Sequence, residues 1–169
     1  NVTDRRYWTL LEDELVLATR AAIDLQGGEV PFFHQMVMGG SQWVDIGGRT
    51  AMRGLPIGRY RGNFTTYGDA ELRWAITDFD FSTGHYRIFA VSFLSGARIL
   101  DHVVETEPGL GLHGGFGGGL RLLYNEVFLA RLDLALGREE YTTEDNAFGT
   151  EVQNSGWIPG IYLAFDAPY

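Results

Sequence analysis

Apolar and polar residues alternate with period two along much of the chain, the spacing at which a β-strand sends successive side chains to opposite faces. In Leu15–Leu25, Leu15, Leu17, Thr19, Ala21, Ile23 and Leu25 share one phase; Val16, Ala18, Arg20, Ala22 and Asp24 share the other. Between Tyr67 and Ile76, Ala70, Leu72, Trp74 and Ile76 oppose Tyr67, Asp69, Glu71 and Arg73. Phe116, Leu120, Leu122 and Tyr124 oppose Arg121, and Phe128, Ala130, Leu132, Leu134 and Leu136 oppose Arg131 and Asp133. A terminal segment from Trp157 to Tyr169 puts Ile161, Leu163, Phe165 and Tyr169 on one phase. Gly84–Ile99 is less regular; there Phe89, Val91 and Phe93 suggest an outward face, with Ala90 and Ser92 inward. Six or seven strands result.

Within each regular strand every charge falls on one phase: Arg20 and Asp24; Asp69, Glu71 and Arg73; Arg121; Arg131 and Asp133. A strand crossing a bilayer needs this, because an Arg facing lipid at the midplane costs about 2–4 kcal/mol while a polar lumen accepts it. A soluble lipocalin-like barrel also alternates, with its apolar phase inward. Strand lengths of about ten residues and a sparse charged phase rich in Ala and Gly favour the membrane arrangement. Short connections near 77–83 and Asn125 alternate with long ones at about 26–63, 100–110 and 138–155, as in a barrel with tight turns on one side and long loops on the other. Tyr7, Trp8, Trp74, Tyr86, Tyr124 and Trp157 fall near strand ends, where an aromatic girdle belongs.

Composition narrows the field. The net charge of −9 argues against nucleic acid as a partner. There is no cysteine, hence neither a disulfide framework nor a thiolate metal site. All 13 cationic side chains are Arg. High Gly and aromatic content suits long strands in close backbone contact. No apolar run reaches the ~18 residues of a membrane helix, a criterion that does not bear on barrels. The chain opens on Asn1 without a Met or signal peptide, which suggests a piece of a larger protein or a processed product.

Other candidate chemistry is weak. His34, His85, His102 and His113 show no metal-ligand spacing. The Gly114–Gly119 run lacks the Gly-Lys-Ser/Thr ending of a phosphate loop and reads as a tightly packed strand. Ser41 and Ser95 sit in no nucleophile elbow. The acidic group Glu139, Glu140, Glu144 and Asp145 reads as a solvated loop. Arg59 and Arg61 could meet lipid head groups or pair with lumen acids. No catalytic residue, metal or cofactor is expected.

The segment Pro31-Phe32-Phe33, Gly39-Gly40 and Met52-Arg53-Gly54-Leu55-Pro56-Ile57-Gly58-Arg59-Tyr60-Arg61 resembles the BamA/TamA-type outer-membrane barrel superfamily, also called the bacterial surface antigen family. Ala70-Glu71-Leu72-Arg73-Trp74, Gly117-Gly118-Gly119-Leu120-Arg121 and Ala130–Ala135 are similar to strands that follow in that family, and Trp157–Tyr169 to its terminal strand. The resemblance runs in order from about Leu15 to Tyr169. It implies an all-β, antiparallel transmembrane β-barrel of which residues 1–169 form the C-terminal six to seven strands of 16, with no POTRA domain in this chain. It further implies that the loop at about 26–63 folds into the lumen and that Arg53 docks its tip on wall carboxylates. Met52, Gly54, Gly58, Arg59 and Tyr60 complete that loop motif. Glu71 matches one carboxylate; the other has Leu94 in its place, so that second carboxylate is either missing or replaced by Asp69 or Asp133. Leu55 replaces the usual aromatic. Ile161, Leu163, Phe165 and Tyr169 would form the terminal strand signal.

The resemblance implies a non-enzymatic barrel in the outer membrane of a Gram-negative bacterium, inserting or transporting outer-membrane proteins or lipids. Its partners would be outer-membrane lipids and lipopolysaccharide, the N-terminal part of the barrel or other subunits of a membrane complex, and unfolded outer-membrane proteins as substrates. A passive anchor barrel of an enzyme or complex and a soluble lipocalin-like binding barrel are the alternatives.

Overall fold

The computed structural model describes all residues except Asp13, Glu29, 32–36, 39–43, Ile46, 58–61, 101–111, 146–149 and 167–169. Seven antiparallel strands form one sheet: β1 (Val2–Leu11), β2 (Leu15–Leu25), β5 (Phe64–Phe81), β6 (Gly84–Leu100), β7 (Leu112–Tyr124), β8 (Phe128–Asp145) and β9 (Thr150–Asp166). Two short strands, β3 (Val37–Met38) and β4 (Val44–Asp45), pair with each other in the connection between β2 and β5. No helix occurs among the described residues. The sheet runs β1-β2-β5-β6-β7-β8-β9, every strand beside its sequence neighbour, and is open, with β1 and β9 at its edges.

The inner face carries the charged phase in β2, β5, β7 and β8, and the loop tip lies against it. Residues directly opposite in a ladder share a face, so the register extends that face from strand to strand. Glu71 stands opposite Ala18 and Phe93, Phe93 opposite Gly117, and Gly117 opposite Ala135. The phase expected for β6 is therefore inverted. Val91 and Phe93, each 5% exposed, point inward, and Leu94, 63% exposed, points outward. No charge lies in β6 between Arg87 and Arg98, so nothing in that stretch marked the inner phase; packing under the loop selected it. Tyr7 also departs from the expected girdle, because it lies opposite Ala18 on the inner face, with the Arg73 guanidinium 6.0 Å from its ring.

The long connection expected at 138–155 is mostly strand, since β8 and β9 stay paired out to Asp145 and Thr150. Polar residues occupy both phases of the sequence there, so apolar–polar alternation does not reveal the ladder. The short connections are tight, at Ser82–Thr83 and Asn125–Val127, with left-handed backbone at Ser82, Asn125 and Glu126.

The apolar core is small and sits where the tip meets β2, β5 and β6: Ala51, Met52 and Leu55 pack on Ala22, Tyr67, Ala97 and Ile99. Backbone bonds from Gly48 N to Leu55 O (2.8 Å) and Leu55 N to Met52 O (3.1 Å) hold the tip as a compact turn. Gly54 adopts φ +103°, the left-handed region open to glycine. Gly54 lies backbone to backbone on Gly137 of β8, where a Cβ would run into Gly54 and the Leu55 side chain. Gly137→Val is expected to cost about 1–3 kcal/mol through overpacking, read as a lower unfolding midpoint of the purified chain. Gly156→Val, where a Cβ meets nothing within 4 Å, is expected to leave the midpoint unchanged. Equal effects at the two positions would remove the tip from this contact.

Candidate functional site

Arg53 lies at the centre of the inner face. Its turn places the guanidinium over the sheet, and the neighbouring strands supply acids on the inner phase. Nη2 is 2.7 Å from Glu71 Oε2 on β5, and Nη1 donates to Asp133 Oδ2 on β8 at 3.2 Å. The planar fork of Arg can engage two carboxylates at once and keeps its charge, which a Lys point charge would do less well. The three groups are 5%, 6% and 1% exposed. Isolated charges so buried would be costly; paired and hydrogen-bonded, they hold.

The pairing curves the sheet. β5 and β8 are three ladder spacings apart, about 14 Å on a flat sheet. One guanidinium reaches acids on both only if that face is concave. Arg121 on β7 strengthens the bend. It donates to both carboxylate oxygens of Asp133, with Nη2 to Oδ2 at 3.1 Å, and lies 3.6 Å from Glu71 Oε2. Arg73 Nε donates to Glu71 Oε1 at 2.8 Å, and Arg131 Nη2 is 3.4 Å from Asp133 Oδ2. Each carboxylate thus serves three arginines. The Arg53 guanidinium also lies over the Phe93 ring, 3.5 Å from its centroid, a cation–π contact strengthened by exclusion of water. Gly117 makes room for that ring, since a Cβ there would meet Phe93 Cζ.

Further contacts fix the rest of the tip. Gly54 N donates to the Tyr162 hydroxyl of β9 at 2.9 Å. Arg20 Nη2 donates to the Thr50 carbonyl at 2.6 Å and to the Tyr67 hydroxyl at 2.8 Å, while its Nε donates to Asp69 at 3.1 Å. Arg49 lies 3.7 Å from Asp166. The tip is therefore bonded to β2, β5, β8 and β9.

Of the residues singled out in the sequence, Arg53, Glu71 and Asp133 meet. Asp69 pairs with Arg20 instead. Leu94 faces away from the tip, so its position could not have supplied a carboxylate to Arg53. Met52 and Leu55 are buried core residues, each 1% exposed. Ile161, Leu163 and Phe165 of β9 are exposed on the outer face. Gly58, Arg59, Tyr60 and Tyr169 lie outside the described residues. Sequence reasoning did not assign Arg121, Arg20, Phe93 or Tyr162 to the site. Arg20 and Arg121 were visible as members of the charged phase; Tyr162 was visible only as an aromatic out of step with its strand's apolar phase.

Comparison with family models, with curated proteins and with solved structures finds no match.

Arg53→Ala leaves Glu71 and Asp133 buried with one arginine fewer. It is expected to destabilise the chain by about 3–5 kcal/mol, the usual cost of breaking a buried pair, measured by denaturant unfolding. Arg53→Lys is expected to recover only a minor part. A loss below about 1 kcal/mol, the scale of exposed pairs, would refute the anchoring role.

Proposed function

We propose that the chain forms the C-terminal part of an outer-membrane β-barrel of the assembly and translocation superfamily, with its Arg53 tip docked inside the lumen. The observation that carries this is the contrast between the two faces. Among the residues whose side chains are described, the outer face of β2, β5, β6, β7, β8 as far as Arg138 and β9 from Trp157 is free of charge except for Arg98 and Arg138, which lie towards the long-loop end. The inner face holds the ion-pair network. A soluble carrier barrel needs the reverse.

Aromatic rows bound the outer face. At the turn end, Phe79 stacks on Tyr86 (5.3 Å between centroids), Tyr86 packs on Tyr124 (4.9 Å) and Phe128 stacks on Phe165 (5.8 Å). Towards the loop end, Phe116 meets Trp157 edge-on at 5.6 Å. Trp157 and Phe165 are eight residues apart, about 27 Å along a strand, which suits the tilted crossing of an apolar band about 25 Å tall. The strand lengths, 18 residues in β5 and β8, exceed the ~10 needed to cross, leaving hairpin ends in water. β1 is the exception on this face. Its outward Asp4 and Arg6 pair with each other at 2.8 Å, and Arg6 lies in the cross-strand row that ends at Phe116, Leu136 and Pro159, near the loop-end aromatics.

In this reading the remaining N-terminal strands close the barrel against β1 and β9, and the outer face meets lipid and lipopolysaccharide. Where the seam beside β9 opens, that strand presents unpaired backbone groups, and such an edge can template an incoming strand of an unfolded outer-membrane protein. The resemblance of the Met52-Arg53-Gly54 segment and the strands after it to the BamA/TamA-type superfamily supplies the transport role. The docked tip is the physical support for that resemblance.

The chain is expected to require detergent and to insert into liposomes. Leu134→Arg, on the outer face, should cost about 2–4 kcal/mol of folded stability there. Solubility as a monomer without detergent would defeat the membrane reading. Once inserted, a photoreactive residue in place of Ile161 should crosslink to unfolded outer-membrane proteins. Insertion without any crosslink would reduce the chain to an anchor.

A further inference from the structure

We propose that the inner face binds a phosphate-bearing ligand, in the cavity on the turn side of the Arg53 tip. The cavity holds about 710 Å³, within the size range of small-molecule sites. Eight of the chain's 13 cations line it, against three acids, Glu14, Asp69 and Glu71. A protein of net charge −9 thus concentrates positive charge in one concavity.

The local pairing leaves that charge in excess. Glu71, Asp133 and Asp166 are shared by five arginines: Arg53, Arg73, Arg121, Arg131 and Arg49. Asp69 neutralises Arg20. Arg5 stands directly opposite Arg20 in the β1–β2 ladder and, among the described residues, has no acid within ion-pair distance. Arg121 and Arg131 likewise face each other across β7 and β8. Like charges placed directly opposite are destabilising; Asp133 already bridges Arg121 and Arg131, whereas Arg5 and Arg20 share only the Asp69 that pairs with Arg20, and a bound anion relieves that pair. The Arg131 Nε is buried without a hydrogen-bond partner. Arg87 also lines the cavity, with Asp78 opposite it on the β5–β6 ladder.

The chemistry selects phosphate. Every cation is a guanidinium, whose fork fits phosphate oxygens bidentately. Forks approach from β1, β2, β5, β7 and β8, an arrangement that a tetrahedral dianion with several acceptor oxygens satisfies better than a planar carboxylate. The volume exceeds that of bare phosphate and accommodates an organic phosphate or the head group of a phospholipid. The inference needs only the concave inner face, so it stands or falls separately from the membrane reading.

The test is binding to the detergent-solubilised full chain, followed by calorimetry and by the shift in unfolding temperature. The probes are inorganic pyrophosphate, short-chain phosphatidic acid and, as controls, short-chain phosphatidylcholine and sodium chloride at matched ionic strength. Saturable binding of pyrophosphate identifies a soluble phosphate as the source; binding of phosphatidic acid alone identifies a lipid head group. Arg5→Gln, which leaves the Arg53 network intact, should weaken binding about tenfold, the loss of one charge-assisted contact. Arg138→Gln, on the outer face, should leave it unchanged. Two results would overturn the proposal: no binding of either phosphate probe beyond chloride, or equal binding by the Arg5→Gln chain.

Discussion

A single guanidinium between two carboxylates determines the shape of this molecule. Arg53 cannot reach Glu71 and Asp133 together unless the sheet curves, and the curved sheet buries all three groups. Most inner-face sequence choices follow from that. Gly137 must lack a side chain for Gly54 to approach, Gly117 must lack one for the Phe93 ring, and Phe93 provides the surface beneath the cation. Arg121 and Arg73 compensate acids that one arginine could not neutralise alone. A buried pair of this kind is weak evidence of net stability, because desolvation offsets much of the attraction. It is better evidence of specificity, since any other seat for the tip would strand charges without partners.

The outer face follows from the inner one. With most charges and the loop gathered inside, the alternating residues left outside between the aromatic rows of β5 to β9 are apolar. A surface of that kind is stable in lipid and prone to association in water. The same geometry leaves β9 with an unpaired edge, and the proposed role in handling incoming strands depends on that edge rather than on any catalytic group.

The sequence was legible where charge marked the phase. Arg20, Glu71 and Asp133 identified the inner faces of β2, β5 and β8, because only one phase could hold them. The order and antiparallel pairing of the strands followed from tight turns such as Asn125. β6 was misread for lack of such a marker: Ser92 and Ser95, the only polar residues between Arg87 and Arg98, fall on opposite phases, so the larger side chains were assigned outward, while tertiary packing under Arg53 required them inside. The β8–β9 extension was hidden because both its phases are polar. The partnership of Arg53 with Asp133 joins residues 80 positions apart, and no local pattern reports which of several inner-phase acids a loop will meet. Asp69 was as good a candidate on sequence grounds; the position of Arg20 opposite it decided the matter.

The most direct test of this account uses the absence of cysteine from the chain. Single cysteines placed in turn at Arg131, Leu132, Leu134, Ala135 and Leu136 of β8 carry a fluorophore in liposomes containing a lipid-borne quencher. The account predicts strong quenching from Leu132→Cys, Leu134→Cys and Leu136→Cys and little from Arg131→Cys and Ala135→Cys. Uniform quenching, no quenching at all, or the opposite alternation would contradict it.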